Sequence, residues 1–544
     1  MKSLFSFLLF FGVSSIFAQR QTADLIVHNA HIYTVNAGFD VAESFAVKDG
    51  KIVGIGSAEE VFAKFQSENL LDAREKTILP GLIDAHAHFY NYGAALQTVD
   101  LTGTKSWDEV LQKCTAFATK NTEGWLIGRG WDQNDWATKE YPTKEQLDKL
   151  FPKRPVLLTR VDGHAAVINQ VVIDSAKLQV GQTLTGGEIE TKNGQLTGVL
   201  VDNATKLAWA LVPPPNEKQL RQALLDAQKN CFAVGLTTVV DCGLNAPMID
   251  FIEKMNLDKS LKMRLYVMLS DDRDNYAYLF KRGIVKTDQL NVRSFKLYAD
   301  GALGSRGACL LHPYSDRANH FGFLLKDTAY YAAVMSRIAE HEGMQACTHA
   351  IGDSANRAIL KIYGDILRGP NDRRWRIEHA QVINKADFSL FKKYNIIPSV
   401  QPTHATSDMY WAGERLGKER ETDAYAFHKL MEQNGWLPLG TDFPVEDINP
   451  ILTFYAAIAR KDAKGFPEGG YQLSEALNRE QTLRGMTIWA AKANFEEKEK
   501  GSLELGKFAD FIILNQNLME VAPLEILKTK ILATYLGGEK VFSD

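Results

Sequence analysis

Short runs of alternating apolar and polar residues mark both ends of the chain, and a strand–helix rhythm fills the space between them. Between residues 23 and 78 the runs "DLIVHNAHIYTV", "SFAVKDGKIVGIG" and "TILPGLIDAHAHF" are rich in β-branched residues, and Asp49-Gly50 offers a hairpin turn. The same character returns in "GSLELGKFADFIIL" and "ILATYLGGEKVF", where Gly537-Gly538 is a second turn signal. Neither end has enough strands to bury a sheet alone. Together they predict a small composite β-sandwich.

In the middle, "LTTVVDCG", "RLYVML", "VRSFKLYADG", "MQACTHAIGD", "RIEHAQ", "IIPSVQP" and "LPLGTDFP" read as strands. Helical periodicity over 328–341, 355–367, 386–394 and 424–433 separates several of them. With "GLIDAHAHF" as the first strand the count approaches eight, which predicts a distorted (β/α)8 TIM barrel. An open doubly wound sheet is the alternative, since counting strands cannot close a barrel. Residues 101–211 interrupt the rhythm with turn-rich and aromatic segments such as "GWLIGRGWDQNDW" and "TLTGGEIETKNGQLTGVL". They predict an inserted substructure over the barrel mouth, where it would help build a substrate pocket.

The start of the chain has a different character. Lys2 precedes the apolar run "LFSFLLFFGV", and "SSIFA" precedes Gln19. This reads as a signal peptide ending at Ala18, too short for a comfortable membrane span. The expected organisation is a leader over 1–18, sandwich strands over 19–79, the barrel over 80–492 and the remaining sandwich strands over 493–544. The mature chain would be periplasmic or secreted, with no stable membrane span. Its 544 residues are 45% apolar and 24% charged, enough for a large core. A net charge of −4 without a basic stripe argues against a nucleic-acid partner. Cys114, Cys231, Cys242, Cys309 and Cys347 are scattered, with no C-x-x-C pair, and read mainly as buried thiols, although an oxidising compartment permits one disulfide. A homodimer is compatible with the sequence but not specified by it.

The sharpest chemical signal is "DAHAHF". His86 and His88 are two apart on a strand, so both imidazoles face the same side and can reach one ion. Lys296, His349, His379 and Asp442 each stand at or near the C-terminal end of an apolar or β-rich run. In a barrel those ends converge on one face. Neutral imidazoles with a carboxylate suit one or two divalent ions, zinc first, with iron, manganese or nickel as alternatives. Asp442 would take a proton from attacking water and pass it to a leaving nitrogen. An ammonium has no lone pair for a metal. Lys296 would therefore either carry an N6-carboxylate that bridges two ions or, unmodified, steady a nearby anion. His164, in "DGH", can donate to a substrate oxyanion or serve only structure, and Arg306 can meet a substrate carboxylate or anchor its loop. Asp84 and Glu378 adjoin ligands but alternate away from them, so supporting or packing roles are expected. His28, His31, His312, His320, His341, His404 and His428 show no comparable joint placement. Aromatics in 125–136, with Tyr410 and Trp411, fit either a pocket for an apolar group or the core of the insertion.

Read in order, "LPGLIDAHAHF", "FKLYADGALGSRGA", "THAIGD", "RIEHAQ" and "LGTDFPV" resemble the motifs of the amidohydrolase superfamily, in particular its family 3, the YtcJ-like and N-substituted formamide deformylase-like proteins. The resemblance runs from about Ala23 to Asp544. It implies a distorted barrel with a two-ended β-sandwich and hydrolysis of a non-peptide carbon–nitrogen bond in a small amide, formamide or N-acyl substrate. It places one metal on His86 and His88, a second on His349 and His379, and a carboxylated Lys296 between them, with Asp442 as ligand and general acid/base. His164 matches the histidine of the family's "DGH" segment. A non-hydrolytic isomerase or lyase on the same scaffold, and an inactive metal- or small-molecule-binding protein, are the competing functions. The strand–GxGxxG–helix context of a dinucleotide enzyme is absent, as is the G-x-S-x-G elbow of a serine hydrolase.

Overall fold

The computed structural model describes residues 20–160, 163, 165–184, 187–202 and 204–544; the leader and His164 fall outside them. Two compact units divide the chain: Met1–Ala87 with Cys231–Asp250 and Met263–Asp544, and His88–Asn230 with Phe251–Lys262.

The first unit holds seven parallel strands that form the barrel sheet: β1 (Leu82–Ala87), β2 (Leu236–Leu244), β3 (Arg264–Ser270), β4 (Leu290–Tyr298), β5 (Gln345–Ala350), β6 (Arg376–His379) and β7 (Ile397–Ser399). Their residues are buried on both faces almost throughout, as continuous apolar runs in a parallel sheet require. The segment after Trp436 completes the circle. Its Leu439 pairs with Val400 just past β7, while Leu439 O accepts from Ala85 N at 3.1 Å and Asp442 N donates to His86 O at 2.7 Å. Gly440 is obligatory at this seam, because a Cβ there would lie 2.5 Å from His86 N. The result is a nearly closed, distorted (β/α)8-like barrel, which removes the open-sheet alternative.

Helices Thr328–Ala339, Asp353–Leu367, Phe388–Tyr394 and Phe427–Asn434 stand where helical periodicity was seen. The fourth starts three residues later than the pattern implied. Ala424 bridges to Val382 and Tyr425 N donates to Gln381 O at 2.7 Å, so this stretch is held as an extended lead-in.

Both chain ends meet in one mixed sheet, ordered Glu539–Ser543, Ile531–Leu536, Phe511–Leu514, Leu70–Pro80, Leu25–Tyr33, Ser44–Lys48 and Lys51–Gly56. Phe511 stacks on Tyr535 at 4.3 Å and meets Phe45 at 5.1 Å, in a core shared by the two termini. Asp49 and Gly50 both take positive φ, 49° and 75°, as a tight hairpin demands.

In the second unit, six strands from Val99–Asp100 to Gln195–Asp202 form a separate sheet. Trp131 and Trp136 are buried in its core, donating to Leu158 O at 2.8 Å and Thr104 O at 3.1 Å. These two aromatics therefore serve packing. The cysteines are free thiols, with Cys309 half-buried and the rest buried. Among the described residues no helix is long and apolar enough to cross a membrane.

Candidate metal centre

The barrel delivers the expected side chains to the C-terminal ends of its strands. His86 is next to last in β1, Lys296 lies near the end of β4, His349 is next to last in β5 and His379 closes β6. Asp442 follows the closing segment. His88, two residues beyond His86, is the N-cap of helix Phe89–Ala95. Lys296 Nζ lies 3.1 Å from His86 Nε2, and Asp442 Oδ1 lies 3.5 Å from the same nitrogen. The His379 ring sits 4.8 Å from that of His86 and 4.6 Å from that of His349. His379 and Asp442 both hold left-handed backbone conformations, with φ of 73° and 65°. Such strain at non-glycine residues persists where the surrounding structure fixes it, often at functional sites.

Buried carboxylates set these groups in place. Glu378 Oε2 accepts from His86 Nδ1 at 2.6 Å, with both side chains fully enclosed. Asp84 accepts from Thr441 Oγ1 at 2.7 Å and from His86 N at 3.0 Å, joining the closing segment to β1. Asp300 accepts backbone N–H groups from Cys309, Ile351 and Gly352 at 2.8–2.9 Å and lies 3.8 Å from His349 Nε2. The supporting roles read for Asp84 and Glu378 match these contacts.

Burial pushes the His349 imidazole down to about 3, with Lys296 and His86 adding to the effect. Burial also lowers His86, and it takes His379 well below the ordinary range. A lowered value favours the neutral ring, whose lone pair can meet a cation. For Lys296, burial opposes the charge, but Cys242, Tyr298, Glu378 and Asp442 hold the group above the usual lysine value. Burial raises Asp84 to about 7 against its hydrogen bonds.

His349 Nε2, His379 Nδ1 and Glu378 Oε1 are buried without a hydrogen-bond partner. Buried polar atoms are ordinarily paired, so unpartnered imidazole nitrogens beside carboxylates fit a site for a cation. Two groups of candidate ligands share Asp442: His86 with His88, and His379 with His404. This donor set fits a divalent metal ion.

His404 is the residue that sequence reasoning passed over. It follows β7 by only a few residues, so the strand-end argument applied to it as well, but it stands on the short helix Pro402–Asp408. Its Nε2 lies 3.2 Å from Asp442 Oδ2 and its Nδ1 lies 2.8 Å from Glu446 Oε1. Burial opposes protonation of His404, yet the Asp442 and Glu446 carboxylates raise it to about 10. Arg306 is engaged elsewhere: its Nε and a terminal nitrogen grip Asp316 at 3.1 and 2.6 Å, and Arg415 binds the same carboxylate.

A parallel barrel with imidazoles and carboxylates gathered at its C-terminal face defines a metal-dependent hydrolase type of enzyme. A family model described as "Amidohydrolase family" matches residues 69–542. The chain belongs to the amidohydrolase superfamily, family 3. It is 31% identical to "Putative amidohydrolase YtcJ" of Bacillus subtilis (strain 168), covering 95% of this chain and 99% of that protein. It is 25% identical to "N-substituted formamide deformylase" of Arthrobacter pascens, covering 95% and 98%. Among solved structures, an uncharacterized metal-dependent hydrolase from Pyrococcus horikoshii superposes with a TM-score of 0.78 at 25% identity, over 92% of this chain and 99% of that one.

Proposed function

We propose that the protein hydrolyses a non-peptide carbon–nitrogen bond, in an amide, formamide or N-acyl compound, at a divalent metal centre. The observation that carries this reading is the set of imidazoles gathered around Asp442, with unpartnered nitrogens on His349 and His379. Family membership and the similarity to a formamide deformylase support the bond type.

His86 and His88 would hold one ion, His349 and His379 a second, with Asp442 as a shared ligand. Zinc suits these nitrogen and oxygen donors. Lys296, if carboxylated on Nζ, would bridge the pair. A bound ion polarises the substrate carbonyl and acidifies water. Asp442 takes the proton released as water attacks the carbonyl carbon. It then delivers that proton to the nitrogen as the C–N bond breaks, giving an acid and an amine. Glu378 holds His86 in one orientation throughout, and Asp84 keeps the Asp442 segment fixed against β1. His164 would donate to the carbonyl oxygen from the segment "DGH".

The domain boundaries at 79/80 and 492/493, the leader over 1–18 and a periplasmic or secreted setting complete the proposal. Incubating metal-analysed protein with N-substituted formamides and N-acyl amines in ¹⁸O-water tests it. One ¹⁸O atom in the carboxylate product is expected. Turnover that leaves the product unlabelled would instead establish a lyase or isomerase.

A further inference from the structure

Two imidazoles at the centre are built to one plan. His86 gives Nδ1 to Glu378 at 2.6 Å and turns Nε2 toward Asp442 Oδ1 at 3.5 Å. His404 gives Nδ1 to Glu446 at 2.8 Å and turns Nε2 toward Asp442 Oδ2 at 3.2 Å. Ser407 Oγ donates to the same Glu446 oxygen at 2.6 Å, fixing the carboxylate that fixes the ring. Each oxygen of Asp442 thus faces an imidazole backed by its own carboxylate.

The chemistry of the His404 contact demands a cation. An ionised Glu446 can only accept, so Nδ1 carries the proton of that bond. In a neutral ring Nε2 is then an acceptor, and it faces another acceptor in Asp442 Oδ2. Two lone pairs do not attract. Either a second ring proton or a metal ion bound by both atoms must lie between them. At His86, Lys296 Nζ stands 3.1 Å from Nε2. Among the described residues no lysine or arginine is hydrogen-bonded to His404.

We infer that His404 is itself a metal ligand, acting with Asp442 and His379, and that Glu446 is its positioning residue. The inference rests on the metal-hydrolase reading above. Ligand atoms of His379, His404 and Asp442 lie within 4.8 Å of one another, and the two rings are near-parallel at 5.8 Å. His379 Nδ1 is buried and unpartnered beside them. The second ion is therefore held from the β7 side as well as from β5 and β6. A carboxylate behind a ligating imidazole is the usual means of fixing its tautomer and direction, and its loss weakens metal binding about 10–100-fold.

The test compares wild-type protein with His404→Ala, His404→Gln, Glu446→Gln and His349→Ala, each loaded with zinc and checked for folding by circular dichroism. Zinc content is measured by elemental analysis, affinity by chelator competition, and imidazoles per zinc by X-ray absorption. Both His404 variants should lose the zinc assigned to His379, His404 and Asp442 or bind it about 100-fold less tightly, with fewer imidazoles per retained zinc. Glu446→Gln should weaken it about 10–100-fold. Should His404→Ala not fold, His404→Gln and Glu446→Gln decide the matter alone. Wild-type zinc content, affinity and imidazole count in the His404 variants would overturn the inference, leaving a proton between His404 and Asp442. If His349→Ala lost zinc in that case, the metal-hydrolase reading would survive. Wild-type protein that takes up no zinc would overturn both.

Discussion

At the N-terminal ends of the barrel strands Arg264, Asn291 and Gln345 are buried and bound; at the C-terminal ends His379 and Glu378 are as deeply buried and, with half-buried His349, carry atoms with no partner. Arg264 grips Asp510 at 2.7 and 3.0 Å and lies 3.8 Å above the Phe508 ring. Asn291 and Gln345 donate to Asn494 O and Ala493 O, each at 3.1 Å, and Arg376 reaches Ala493 O at 2.7 Å. One end ties the barrel to the segment that returns to the two-ended sheet. The other leaves polar atoms uncompensated and holds His379 and Asp442 in strained backbone. Such an arrangement costs stability unless a ligand completes it, so the two ends divide stability and chemistry between them.

The largest expected effect tests the reactive end. Asp442→Asn should lower kcat by about 10²–10⁴-fold, the usual contribution of a general acid/base, while the melting temperature stays level or rises. Measured turnover and thermal denaturation would break the comparison if stability fell in parallel. At the opposite end, Arg264→Met leaves Asp510 buried without its partner. A destabilisation of about 3–5 kcal/mol should follow in denaturant unfolding, with kcat of the folded fraction unchanged. A fall in kcat there would show that the two ends are coupled.

A smaller effect concerns acid. Glu496 is buried, which opposes its charge, yet Lys500 and Lys286 hold its carboxyl below the ordinary range. Because the folded pKa is depressed, its contribution is fully present above the unfolded value of about 4.3 and is lost as pH falls through the lower folded value. Melting temperature against pH should therefore flatten on its acid limb in Glu496→Gln. An acid limb identical to wild type would remove Glu496 from the stabilising network.

The sequence carried this division unevenly. The reactive end was readable because each predicted ligand is a polar residue ending an apolar run, as in "RIEH" and "LPLGTD". His404 escaped because its polarity falls on the helix after β7, where strand alternation gives no cue, and because Glu446 comes from another loop. The stabilising end was unreadable for a related reason. Arg264 and Asp510 are 246 positions apart, and a buried arginine at a strand start looks like any surface arginine until its partner is known. The late start of helix Phe427–Asn434 reflects tertiary pairing of Ala424 and Tyr425, which overrides a local helical pattern.

The smallest expected effect concerns Arg306, which was open to two readings. A substrate-binding arginine should make a bidentate pair with a substrate carboxylate, and its loss would then raise KM for N-acyl amino acids well above that for N-acyl amines. In the structure the bidentate partner is Asp316, and Arg415 pairs with the same carboxylate. Arg306→Ala therefore leaves Asp316 with a guanidinium and its loop with an anchor. Exposed pairs of this kind contribute little, so KM for both substrate types should shift by less than about threefold, with kcat unchanged. A selective rise of tenfold or more for the carboxylate-bearing substrates would place Arg306 on the reactive side of the comparison. It would mean that Asp316 releases the guanidinium when substrate arrives, making this loop part of the chemistry.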